Sequence, residues 1–328
     1  MDPAEPRPAL SFVVPVYNEE GNVGPLHAEL TTVARATGRS YELVFVNDGS
    51  RDQTLDRLLA IAATDPQLRV VELDGNFGEA AAISAGFGTA RGEIVVTMDG
   101  DGQNDPHDVP KLLERLEQGF DAVSGRREQR KEGFATRVLP SLVANRLIVL
   151  ATGVPAYDCG CGLKAYRHQL VEGTQLPRGF NRFLPAILGV DPKRVAEIAT
   201  RDRPRGSGAS HYGLGRMGIV LRDLPSLPLL TRMRPPLRPL ARWLTALVVL
   251  LGTAAVLAAV RARPGAALLA VAAALVAWAA RYNVERMARA RESGVFRVRK
   301  VHHHGRTAAA DRDRGGGVLG QEPAPDLR

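Results

Sequence analysis

Apolar residues come in short continuous blocks through the first half of the chain. Leu10 to Val16, Tyr41 to Val46, Arg69 to Leu73 and Ile94 to Met98 are rich in Val, Ile, Leu and Phe, the pattern of strands buried on both faces. Val23 to Ala36, Thr54 to Ala63 and Ala80 to Ala90 fall between them and read as helices. Regular alternation of strand and helix predicts an α/β fold with a mostly parallel sheet covered on both sides. Further on, Phe120 to Ser124 predicts a fifth strand, Thr136 to Thr152 a helix and Val195 to Thr200 another strand. The first four strands run into polar clusters: Pro15-Val16-Tyr17-Asn18-Glu19-Glu20, Asn47-Asp48-Gly49-Ser50, Asn76-Phe77-Gly78 and Asp99-Gly100-Asp101-Gly102-Gln103. These clusters share the carboxyl rim of the sheet, where open α/β sheets bind ligands.

The fourth cluster carries the most specific chemistry. Asp99, Asp101 and Gln103 place two carboxylates and an amide at alternate positions beyond a buried strand. Such oxygen ligands suit Mg2+ or Mn2+, whereas zinc would want His or Cys. A dinucleotide fingerprint is missing from the first strand-to-helix turn. The G-x-G-x-x-G match at Gly213 to Gly218 follows Ser210-His211-Tyr212 instead of a strand, and reads as chance. Two cationic stretches flank the site in sequence: Gly125-Arg126-Arg127-Glu128-Gln129-Arg130-Lys131, and the Gly-rich run from Arg203 to Tyr212.

The second half changes character. Trp243 to Val260 and Pro264 to Ala280 carry no charge and are separated by Arg261-Ala262-Arg263. Each approaches the length of a membrane span. Arginines at 232, 234, 238 and 242 precede the pair and those at 281, 286, 289 and 291 follow it, which places both outer flanks in the cytosol. Ile219 to Leu230, with two prolines, would lie along the membrane surface. The end, from about Thr307, reads as disordered, and His302 to His304 as part of a solvated tail. A formal charge of +8 points to an acidic partner, while aromatics at only 5% argue against a base-stacking nucleic-acid surface. Cys159 and Cys161, one residue apart, are poorly spaced for a mutual disulfide and read as small buried residues. No basic-then-apolar leader pattern opens the chain, so the first domain is expected in the cytosol.

Taken in order, VVPVYNEE, VNDGS, NFG, DGDGQ, SGRR, RKEGF, DCGCGLKAYR, RFLPA and RPRGSGASHYG resemble the family-2 glycosyltransferases that make polyprenyl-phosphate sugars. Dolichyl-phosphate mannose synthase and bacterial undecaprenyl-phosphate glycosyltransferases belong to that group. The resemblance implies a GT-A fold followed by a two-helix transmembrane hairpin. It implies residues 1–213 as a cytosolic catalytic domain, 214–242 as a juxtamembrane interfacial segment, 243–280 as the helix pair and 281–328 as a basic cytosolic tail. The setting would be the inner (cytoplasmic) membrane, with a homo-oligomer left open. On this resemblance Pro15, Tyr17, Glu19, Asp48 and Gly78 would surround the nucleotide. Asp99, Asp101 and Gln103 would hold the metal. Arg126, Arg127, Arg130, Arg205, Ser210 and His211 would face the lipid phosphate. Glu79, Asp202 and His211 depart from the usual pattern and leave the donor sugar open.

The implied reaction is inverting transfer from a nucleotide-sugar to a polyprenyl phosphate, with a UDP-sugar favoured by the bacterial hairpin and GDP-mannose still open. A processive polysaccharide synthase would carry Q-x-x-R-W near the membrane, but Pro239 stands where Gln would precede Arg242-Trp243. A non-catalytic scaffold binding acidic lipids would have no use for the full DxDxQ set.

Overall fold

The structure, a computed structural model, describes residues 6–127, 139–155, 158–203, 222–233, 235–304 and 306–309. Strands β1 (Leu10–Val16) and β2 (Tyr41–Asn47) are buried along their whole length, as their unbroken apolar runs predict. Helix α1 (Val23–Ala36) joins them, and α2 (Thr54–Ala62) leads to β3 (Leu68–Leu73). Helix α3 (Glu79–Thr89) then leads to β4 (Ile94–Thr97), and α4 (Val109–Glu117) to β5 (Ala122–Arg127). Next come α5 (Leu139–Thr152), β6 (Lys164–Arg167), α6 (His168–Val171), α7 (Leu184–Leu188) and β7 (Val195–Thr200). Two long helices follow, α8 (Leu237–Val260) and α9 (Pro264–Ser293), and the chain closes with β8 (Val298–His303) and β9 (Arg306–Ala309).

Among the described residues the strands form one sheet in the order β7-β5-β6-β4-β1-β2-β3-β8-β9. Pairs β1/β2, β1/β4, β2/β3 and β5/β7 are parallel, while β6 and β8 run against their neighbours. The chain winds outward from β1 in both directions, to β2 on one side and to β4 on the other. That switch opens a crevice at the carboxyl ends of β1 and β4. One buried carboxylate in the sheet gathers several donors. Glu42 accepts from Ser11 Oγ at 2.6 Å and from the Arg69 and Arg91 guanidinium groups at 3.1 and 3.2 Å.

The chain's last strands correct the expectation of a solvated tail. Strand β8 pairs antiparallel with β3, bringing Val301 opposite Val71 and His302 opposite Val70. Val301 is buried, and Glu72 receives Arg299 Nη1 and His302 Nε2, each at 3.2 Å. His303 Nε2 lies 2.9 Å from the Pro66 carbonyl. The added strand covers what would otherwise be an open sheet edge at β3.

By internal contacts the chain separates into a sheet unit (1–131, 157–210, 291–328) and a helical unit (132–156, 211–290). In the helical unit α8 and α9 are long and apolar enough to cross a membrane. Their large side chains face outward: Val249, Leu250, Val256, Leu257, Val260, Leu268 and Leu269 are all exposed. Helix α9 continues well past the apolar run. Its last turns bury Asn283, Val284, Met287, Ala288 and Ala290, and carry an Arg281–Glu285 pair at 2.9 Å.

Candidate active site

Strand β4 ends where β1 still continues, so the loop after it opens into the crevice. Gly100 lies against β1, where a Cβ would come within 2.6 Å of Val16 Cγ1. Asp101 is 7% exposed and its Oδ1 accepts the Gln103 amide at 3.1 Å, an Asx turn that shapes the loop. Asp99 lies under the chain of Gly162, which enters β6 antiparallel to β4. Thr97 Oγ1 donates to the Gly162 carbonyl at 2.9 Å and fixes that approach. A Cβ on Gly162 would sit 2.2 Å from the Asp99 carboxyl carbon. Only a glycine leaves room for the carboxylate there.

Burial pushes the Asp99 carboxyl well above the usual range, and the charges of Glu79 and Asp101 push in the same direction. Lys164 and Arg127 act against this. A carboxylate pair in that predicament, offering only oxygen donors, fits a hard divalent cation. Elsewhere, Glu29, Asp105 and His107 also bring their ligand atoms within 4.8 Å of one another. Arg203 already bridges that group, with Glu29 at 2.7 and 2.8 Å and Asp105 at 2.7 Å, so it is a satisfied ion network.

The nucleotide side is built from the ends of β1 and β2. Met98 N donates to the Val13 carbonyl and Asp48 N to that of Val16. In a parallel strand alternate residues face opposite neighbours, so Pro15 faces the β4 side beyond the last β1/β4 pair, Val13 with Thr97. Its missing N–H therefore costs no ladder bond. Asn18 adopts φ 54° and is tied across to β2's loop by Ser50 Oγ at 3.0 Å and the Arg51 amide at 2.8 Å. Tyr17 is half-buried. The Glu19 amide donates to Thr54 Oγ1 at 2.8 Å, and its carboxylate accepts from Asn22 Nδ2 at 2.5 Å. Asp48 is buried and accepts the Phe77 and Gly78 amides at 2.7 and 2.8 Å. Burial raises its pKa, while the two amides and the Arg178 charge oppose the rise. Asp48 thus holds the Asn76-Phe77-Gly78 turn against the β2 end.

Cationic residues are divided. Arg126 is exposed at the end of β5. Arg127, which the resemblance turns toward lipid phosphate, is instead clamped by Asp158, Nε to Oδ2 at 2.8 Å and Nη2 to Oδ1 at 3.1 Å. Both thiols are buried as expected, which pushes each up to about 11. Arg130, Arg205, Ser210 and His211 lie outside the described residues. The start of their Gly-rich run is described: Arg203 N donates to the Gln103 carbonyl at 2.8 Å, and Asn104 bridges Asp202. The run therefore begins tethered to the loop that carries Asp101 and Gln103.

Sequence reading assigned no role to Lys164, Asn181 or Arg178. Lys164 is buried opposite Thr97, with Nζ 3.5 Å from the Asn181 carbonyl. Asn181 Nδ2 donates to Glu79 Oε1 at 2.7 Å. The available signal was a lysine directly after the glycine-rich DCGCGL run and ahead of the apolar Ala165-Tyr166 pair.

Residues 11–174 match the family described as glycosyl transferase family 2. The chain belongs to that family. It is 42% identical over 229 residues to the dodecaprenyl-phosphate galacturonate synthase of Rhizobium johnstonii, covering 69% of this chain and 68% of that one. It is 37% identical over 230 residues to the undecaprenyl-phosphate 4-deoxy-4-formamido-L-arabinose transferase of Pseudomonas paraeruginosa, covering 70% and 68%. Both family relatives are named as enzymes acting with polyprenyl phosphates. Among solved structures, glucosyl-3-phosphoglycerate synthase from Mycobacterium tuberculosis, in complex with Mn2+, UDP-glucose and phosphoglyceric acid, superposes with a TM-score of 0.53 at 21% identity. That match covers 70% of this chain and 81% of the other, and establishes the GT-A-like fold.

Proposed function

We propose that this family-2 enzyme transfers a sugar, with inversion, from a nucleotide-sugar to a polyprenyl phosphate. The observation that carries the reading is the half-buried, charge-frustrated Asp99 beside Asp101 at the β1/β4 switch point, in a chain that continues into two outward-facing apolar helices. Relatives named for polyprenyl-phosphate substrates support the acceptor. A UDP-sugar is favoured over GDP-mannose by the resemblance to the bacterial hairpin subgroup.

Asp99, Asp101 and Gln103 would hold Mg2+ or Mn2+. A divalent cation there would stabilise the negative charge that develops on the departing diphosphate. Pro15, Tyr17, Glu19, Asp48 and Gly78 would form the base and ribose wall. Arg126, Arg205, Ser210 and His211 would receive the lipid phosphate. A phosphomonoester has a second pKa of about 6 and is largely anionic at neutral pH. The acceptor therefore needs cations to hold it more than a base to activate it. Its oxygen forms the new bond to the anomeric carbon as the bond to the nucleoside diphosphate breaks on the opposite face.

The test is release of nucleoside diphosphate by the purified full chain, with UDP- and GDP-sugars offered in turn. Release from a UDP-sugar should depend on added polyprenyl phosphate, and Arg205→Ala should raise the KM for that lipid. Equal release with and without the lipid would reject the acceptor.

Membrane insertion follows from the same reading: 243–280 as a transmembrane pair in the cytoplasmic membrane, with 1–213, the interfacial 214–242 and the tail from 281 on the cytosolic side. Exposed Leu and Val along α8 and α9 would be costly in water and favourable in lipid. The return of β8 to the sheet supports an even number of crossings, because β3 and β8 must share a compartment. A cysteine at position 262 should then react with an impermeant maleimide from outside the cytosolic face. Low background is expected, since Cys159 and Cys161 are buried. Labelling at 262 only by reagents delivered to the cytosol would exclude the hairpin.

A further inference from the structure

Strand β6 carries a lysine into the interior of the sheet unit. Lys164 is 5% exposed, and no other lysine or arginine among the described residues is buried to that degree. It lies opposite Thr97, two residues before Asp99, at the carboxyl rim of β4. Alternation along the strand puts it on the same face as Tyr166, whose ring meets Phe87 of α3 edge-on with centroids 6.3 Å apart. At the rim, that face looks toward the amino end of α3. The contacts agree. Lys164 Nζ is 3.5 Å from the Asn181 carbonyl, and Asn181 Nδ2 donates at 2.7 Å to Glu79 in the first turn of α3. The lysine's charge also reaches Asp99, where it opposes the rise that burial causes. The ammonium thus lies beside both the Asp99 loop and the amino end of α3.

A lysine in that position calls for an anion. Buried ammonium groups are almost always paired. Among the described residues the acceptor of Lys164 is a neutral carbonyl, at a distance beyond the usual N–H···O range. An ammonium has more donors than that contact uses. Arg127, whose charge also acts on Asp99, is committed to Asp158 by paired bonds at 2.8 and 3.1 Å. Lys164 is the cation left to meet an incoming ligand.

We propose that Lys164 is a catalytic residue that donates a hydrogen bond to the terminal phosphate of the departing nucleoside diphosphate. The assignment rests on the transfer reading above. As the acceptor phosphate oxygen bonds to the anomeric carbon, the bond from that carbon to the nucleotide breaks. Its electron pair stays on the oxygen of the terminal phosphate, which gains a negative charge. Asp99 and Asp101 would already match the charge of a divalent cation held between them, so the added charge needs a further cation. Lys164 supplies it and keeps its proton.

The full chain, wild type and Lys164→Met, is titrated by calorimetry with Mn2+, then with UDP and with UMP in saturating Mn2+. GDP and GMP replace them if the wild type prefers guanosine. Methionine keeps an unbranched side chain and removes the charge. UDP affinity should fall about tenfold or more, while UMP, which lacks the terminal phosphate, should bind as before and report an intact fold. Mn2+ affinity of the nucleotide-free enzyme should not weaken, because a neighbouring positive charge is lost. Transfer kcat should fall about a hundredfold, and Lys164→Arg, which restores the charge, should recover part of both losses. Lys164→Gln is measured beside Lys164→Met, so that a folding defect peculiar to one is recognised by its melting temperature. Wild-type UDP affinity in the folded variants would overturn the assignment. So would an equal loss of UMP, or a parallel loss of Mn2+ affinity, which would mean that Lys164 acts only by holding Asp99. If the wild type released no nucleoside diphosphate with lipid phosphate present, the acceptor reading would fail, and the contrast of UDP with UMP would still decide Lys164.

Discussion

Asp101→Ala is expected to lower sugar transfer by about a thousandfold or more while leaving the fold intact. The side chain lies in a loop beyond β4, and its bond to the Gln103 amide shapes a turn and joins no two elements. Losing that bond should cost about 1 kcal/mol, a small part of a domain's stability. The functional loss is far larger, because the loop would keep a single carboxylate for a cation that must offset the charge of a diphosphate. Asp101→Asn separates the two roles: its amide oxygen can still cap Gln103, yet the charge is gone. It should keep the wild-type melting temperature and lose most activity. EDTA should abolish wild-type transfer, and Mn2+ or Mg2+ should restore it. Near wild-type transfer by Asp101→Ala with magnesium present would remove these residues from the metal site.

Gly162→Ala should disable the enzyme through Asp99 without touching it chemically. The added methyl would fall 2.2–2.4 Å from all three carboxyl atoms of Asp99, too close for any contact. No positive φ is recorded at Gly162, so the backbone itself accepts Ala. Its carbonyl is pinned to Thr97, so the strand resists moving and the Asp99 side chain must turn away. A ligand displaced by an ångström or more is expected to cost about a hundredfold in kcat/KM, with only a small drop in melting temperature. Gly160→Ala is the control. There the nearest atom is Arg127 Nη2 at 3.3 Å, which has to give way by only a few tenths of an ångström within its Asp158 clamp. Equal activity of the two variants would show that Asp99 does not need this position.

The first four strands and their helices were legible because each buries both faces or one clear stripe, and that leaves continuous apolar runs from Leu10 to Met98. DxDxQ was legible because its spacing and its place after a strand both follow from the chain. Strand β6 was not. KAYR is four residues long with two cations, and its reversed direction is set only when it meets β4 and β5. For the same reason the role of Gly162 could not be read, since it depends on which side chain that reversal brings beneath it. Strand β8 was hidden by composition: VRKVHH reads as a solvated basic tail until Glu72 supplies a partner for Arg299 and His302. Charge alone also could not divide the arginines. Arg127 and Arg203 prove to be structural clamps on Asp158 and on Glu29 with Asp105, whereas Arg126 beside Arg127 is exposed.

The most direct measurement offers the purified full chain labelled UDP-sugars and GDP-sugars together with a polyprenyl phosphate, then separates organic extract from insoluble material. Label from a UDP-sugar should enter the organic phase as a lipid that mild acid hydrolyses, one sugar per nucleoside diphosphate released. Label that accumulates in an insoluble polymer and never in an acid-labile lipid would contradict the account and favour a processive synthase.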